Sequence, residues 1–82
     1  MKINYVASEE ERYLNTLIKD YECECIFIEY GIIYCLGSNE VVDMDMVERM
    51  NIDVIEGYVT LYTSEDEIYI VDFVNERIVK GR

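Results

Sequence analysis

Acidic side chains two residues apart recur along the chain: Glu22 with Glu24, Asp43 with Asp45, and Glu65 with Glu67, the last pair bracketing Asp66. On an extended segment, side chains at i and i+2 share one face about 6.6 to 6.8 Å apart, so each pair predicts a short row of negative charge. Spacing of that order imitates successive backbone phosphates. Taken singly, each pair is explained more economically as the polar exterior that strands and turns require. Asp43-Met44-Asp45 and Ser64-Glu65-Asp66-Glu67 also offer oxygens to a hard cation. Neither has the full ligand spacing of a calcium loop, and such ions need six or more oxygens arranged around them. No metal site is assigned.

The other residues able to do chemistry are few. Cys23, Cys25 and Cys35 are odd in number, and pairing across a hairpin at Tyr30-Gly31 points Cys35 away from the other two. Zinc would lack a fourth ligand, because the chain contains no histidine. The cysteines are expected as reduced, small hydrophobes. Histidine is also what a conventional triad or imidazole base would need; a glycine-rich phosphate loop and a nucleophile elbow are missing as well. The expectation is a non-enzymatic protein without a cofactor. Among the eight tyrosines, Tyr58 and Tyr62 alternate through Thr60 with Val59 and Leu61. If Val59 and Leu61 face the core, the tyrosines form an amphipathic outer row of the kind interfaces favour, although β-propensity alone would also select them.

Charge decides what kind of partner such a surface would meet. Eighteen acidic residues oppose seven basic ones for a formal net charge of −11, and Arg77, Lys80 and Arg82 fall in the last six positions. Self-repulsion of this size opposes folding, so the acidity serves either solubility or binding. Direct contact with nucleic acid or an anionic membrane is disfavoured, since phosphate attraction requires clustered Lys and Arg. A basic, nucleic-acid-binding protein or complex is the expected partner, with Glu22, Glu24, Asp43, Asp45, Tyr58, Tyr62, Glu65, Asp66 and Glu67 as the contact residues. The competing expectation is a self-associating assembly domain, a homodimer through a sheet face bearing Ile26, Ile28 and Ile33. A sensor of a metal or small ligand built on Asp43, Asp45 and the cysteines is a third. In size and charge the chain is similar to small phage-encoded inhibitors of host defence nucleases, including anti-CRISPR proteins and other DNA mimics. That likeness is one of composition and carries no functional residue over.

The elements that must hold these groups follow from periodicity. With 82 residues and 51% hydrophobic content, the chain is expected to form one folded α+β domain over 1–82. No apolar run approaches a membrane span or a signal core, which predicts a cytoplasmic protein. Residues 2–6 suggest a strand. Ser8 with Glu11 three positions on is a capping box, and Leu14, Leu17, Ile18 and Tyr21 mark one helical face ending near Asp20. A hairpin is expected over 22–36, pairing Phe27 with Tyr34 and Cys25 with Leu36 around Tyr30-Gly31. Its Ile26 and Ile33 face needs a cover, either the helix or a second copy. Residues 38–51 fit a strand or a helix; a short helix over 44–50 is chosen, capped by Asp43 and closed by a left-handed Asn51. Strands over 52–63, kinked at Gly57, over 67–73 and over 78–80 complete a mainly antiparallel sheet with the helix packed across it.

Overall fold

The computed structural model describes residues 8–81 and shows one helix packed on two antiparallel sheets. The strand expected over 2–6 lies outside the described residues. Helix α1 spans Glu9–Asp20 and starts as the capping pattern requires, with Ser8 Oγ accepting the Glu11 N–H at 3.2 Å. Such a cap stabilises a helix by about 1 kcal/mol. Leu14 and Leu17 are buried, while Ile18 and Tyr21 pack partly against the core.

The helix ends in a Schellman motif rather than running into a strand. The Cys23 N–H bonds to the Ile18 carbonyl and the Glu22 N–H to the Lys19 carbonyl, with Glu22 in the left-handed region at φ 54°. The two-residue periodicity that begins at Tyr21 therefore overstates the strand. Strand β1 occupies only Ile26–Glu29 and pairs with β2, Ile32–Cys35. The expected register holds: Phe27 faces Tyr34, and the Leu36 N–H bonds to the Cys25 carbonyl at 2.9 Å. Tyr30 and Gly31 both have positive φ, 49° and 79°, as a two-residue hairpin turn needs.

The choice of helix over 44–50 is corrected. Strand β3, Val41–Asp43, joins β2, and only Met44–Met46 form a 3-10 turn, capped by Asp43 Oδ1 accepting the Asp45 N–H at 3.0 Å. Strand β4 follows at once over Val47–Asp53, so Asn51 lies in a strand opposite Thr60 and not at a helix end. Glu48 is the extra residue where the register shifts between Val47 and Arg49. Gly57 closes the turn into β5, Tyr58–Thr63, instead of kinking one long strand. Strands β6, Ile68–Asp72, and β7, Arg77–Lys80, complete a four-stranded sheet in the order β4-β5-β6-β7 beside the three-stranded β1-β2-β3.

One buried cluster joins these layers, including Leu14 and Leu17 from α1, Ile26, Ile33 and Val42 from the small sheet, and Val59, Leu61, Val71 and Ile78 from the large one. The hairpin face bearing Ile26 and Ile33 is thus covered within the chain, with α1 against β1 and β7 beside β2. Ile26 and Ile33 are 1% exposed and Ile28 is partly buried against the core.

Candidate interaction surface

Strand alternation builds the surface. Because Val59 and Leu61 point inward with no exposure, Tyr58, Thr60 and Tyr62 take the opposite face of β5 as the sequence predicts. Cross-strand register extends this face into rungs: Asp53, Tyr58, Asp72 and Arg77; Asn51, Thr60, Ile70 and Val79; and Arg49, Tyr62 and Ile68. The tyrosines are half-buried rather than fully exposed. Arg49 lies over the Tyr62 ring at 4.0 Å from its centroid, and Asn51 Nδ2 donates to the Tyr62 hydroxyl at 3.5 Å.

The predicted acidic residues do not form extended rows. Glu22 sits at the left-handed helix end and Glu24 in the following bend; Asp43 closes β3 while Asp45 lies in the 3-10 turn; Glu65 and Asp66 are in the β5–β6 turn and Glu67 just precedes β6. In no pair are both members within a strand, so the fixed i, i+2 spacing is lost. The structure sorts these residues instead to the two ends of the large sheet. At one end are Asp43, Asp45, Glu65, Asp66 and Glu67 with Tyr62, tied together by the Ser64 N–H bonding to the Met46 carbonyl at 2.8 Å. Glu22, Glu24 and Tyr58 belong to the other end. The six residues of β5 separate the two by five steps, about 17 Å.

The two ends differ in how much charge they leave unpaired. Glu67 meets Lys80 Nζ at 2.7 Å, and this hydrogen bond holds its carboxyl below the ordinary value. Asp72 meets Arg77 at 3.4 Å. Burial alone would raise the Asp72 carboxyl, but hydrogen bonds from the Asn75 side chain and from the Asn75 and Val74 N–H groups, with Arg77, bring it below its ordinary value. Glu22, Glu24, Asp45, Glu65 and Asp66 are exposed and make no ion pair with a described residue.

Sequence reasoning missed the residues that fasten the Glu22 end. Glu76 Oε1 accepts the N–H groups of both Glu24 and Cys25, at 2.6 and 2.7 Å, and so pins the loop after α1 to the β6–β7 turn. Tyr21 stacks on Phe73 with centroids 5.7 Å apart and donates its hydroxyl to the Val54 carbonyl at 2.8 Å. The cysteines belong to the same junction. Cys23 and Cys35 donate to the carbonyls of Phe73 and Glu76 at 3.3 and 3.1 Å. Burial, then the charge of Glu76 and the neighbouring thiols, pushes the Cys23 thiol up to about 11. The strand alternation that would point Cys35 away from the other two does not extend to residues 21–25, and Cys23 and Cys35 both bond to the β6–β7 turn. Among the described residues, no three His, Cys, Asp or Glu side chains converge as a metal site, and no helix is long and apolar enough to cross a membrane. Comparison with protein-family models, curated proteins and solved structures finds no match.

Proposed function

We propose that this chain is a non-enzymatic binding protein that occupies a basic, nucleic-acid-binding cleft on a partner protein, its carboxylates standing where phosphates would. The observation that carries this reading is where the acids sit. Glu22, at one end of the large sheet, holds a left-handed φ of 54° where glycine or asparagine is the less strained choice, and Asp66, at the other end, holds 60°, a conformation aspartate visits at lower cost. Their carboxylates make no ion pair with described residues. Backbone strain at an exposed charged residue points to a use for that charge beyond folding. Solubility would be served equally by acids at unstrained positions. Tyr58 and Tyr62, one near each end of β5, supply aromatic contact area that loses little side-chain entropy on contact.

The mechanism is competitive. Long-range attraction brings the acidic faces to a basic groove, and the sheet face excludes water from the centre. Resemblance in size and charge to anti-CRISPR proteins and other DNA mimics agrees with this mode. Capture from native lysate at about 50 and about 200 mM salt tests it, because attraction between exposed charges weakens as screening grows. Retention of a nucleic-acid-binding protein at the lower salt only, abolished by Glu22→Lys with Glu65→Lys, is the expected result. Recovery of the chain alone, in a concentration-dependent oligomer that charge reversal leaves intact, would replace this reading with self-association through another face.

A further inference from the structure

The β4–β5 and β6–β7 turns lie side by side at the Glu22 end of the large sheet, and beside Gly57 and Asn75 each exposes apolar residues that hairpin turns do not ordinarily carry. Ile55 is 94% exposed, and Val54 and Val74 are each 59% exposed. Scattered surface hydrophobes need no explanation; three together on adjoining turns do. The turns are held in contact by the lack of a side chain at Gly57, where a Cβ would come within 2.5 Å of Val74 Cγ2. Each turn is also braced by an aspartate. Asp53 Oδ1 accepts the Glu56 N–H at 2.9 Å, and Asp72 Oδ1 accepts the Val74 and Asn75 N–H groups at 3.0 Å. The tip is therefore presented in a fixed shape, which lowers the ordering cost of docking it.

Charge around the tip selects what it docks against. Asp53 and Glu56 flank Val54 and Ile55 in sequence, and Glu22 follows Tyr21, whose hydroxyl is bonded to Val54. An anionic membrane would repel this rim, and a second copy would bring the same acids against it. We infer that the Val54, Ile55 and Val74 tip is an anchor that seats in an apolar socket rimmed by Lys and Arg on a basic protein partner. The inference rests on the proposed reading of the acidic surface and adds to it the point where that surface is fixed.

A photocrosslinking side chain placed at position 55 and activated in native lysate, followed by titration of the crosslinked protein against wild type, Ile55→Ser and Val41→Ser, tests the anchor. Val41, on the edge strand β3, is 53% exposed and serves as an apolar control away from the tip. The expected crosslink falls on a partner segment with apolar residues beside Lys or Arg. Ile55→Ser is expected to weaken binding tenfold or more with an unchanged melting temperature, and Val41→Ser to have no effect. Crosslinks to lipid or to a second copy overturn the anchor. A salt-sensitive partner that binds Ile55→Ser as tightly as wild type overturns the anchor and leaves the acidic reading standing; failure to find any salt-sensitive partner overturns both.

Discussion

At the scale of single residues, Glu22 combines a left-handed backbone with a carboxylate that makes no ion pair among the described residues, whereas Glu76, also left-handed, uses its carboxylate to hold the Glu24 and Cys25 N–H groups. Glu22 pays for its position with a left-handed backbone, and glycine there would remove the Cβ clash while keeping the Schellman hydrogen bonds. Glu22→Gly is expected to stabilise the protein by about 0.5–1 kcal/mol in denaturant unfolding and at the same time to weaken partner binding. A variant that gains stability and binds undiminished would show that the charge is there for solubility. Cys23 gives a second prediction of defined sign. Its thiol rises from 9.0 to about 11 in the folded protein through burial, then through Glu76 and the neighbouring thiols, so the folded state keeps a proton that the unfolded state has released. The stability linked to this group is complete below pH 9.0 and is lost as pH rises through about 11. At pH 8 the native thiol holds about a hundredfold less thiolate than an ordinary cysteine. Iodoacetamide should accordingly label Cys23 far more slowly in the native than in the urea-unfolded chain, as read by mass spectrometry of the Cys23 peptide.

Among the elements, the hairpin turns set the form of the candidate surface. Gly57 has φ 79° and admits the Val74 methyl group against its backbone. Gly57→Ala is expected to cost about 1–2 kcal/mol, from the left-handed backbone and the displaced Val74, with the loss measured by urea unfolding. The Ser8 cap, the helix face, the Phe27–Tyr34 register and the inward Val59 and Leu61 were legible from sequence because each follows from local spacing. Residues 44–50 were not, since Val42, Met46, Val47 and Met50 suit a helix as well as a strand. What decides is the long-range pairing of β4 with β5 along Arg49 to Asp53. Likewise the Glu22 and Glu24 pair looked extended until the helix-ending hydrogen bonds of Cys23 and Glu22 placed it in a turn. The Glu76 staple joins residues 51 and 52 positions apart, and no local pattern announces such a contact. Val54 and Ile55 did leave a trace, two apolar residues between Asp53 and Glu56-Gly57, that the assumption of one long kinked strand obscured.

Taken whole, the molecule gathers the acids predicted for contact at the two ends of a tyrosine-bearing sheet. All eighteen acids fall among residues 9–76, and the two described ion pairs, Asp72 with Arg77 and Glu67 with Lys80, both use cations of β7. Glu22 and Glu24, with no ion pair among the described residues, lie toward one sheet end and Asp45, Glu65 and Asp66 toward the other, while the Asn51, Thr60 and Ile70 rung between them is uncharged, a layout suited to a groove with basic walls and an apolar floor. Mimicry makes a stricter demand than attraction: the protein and the nucleic acid must exclude each other. The most direct measurement is therefore a competition titration, in which labelled nucleic acid bound to the captured partner is displaced by this protein. The account predicts complete displacement at an affinity that falls steeply with added salt and is lost in the Glu22→Lys, Glu65→Lys double variant. A stable ternary complex, with nucleic acid retained while this protein is bound, would contradict it.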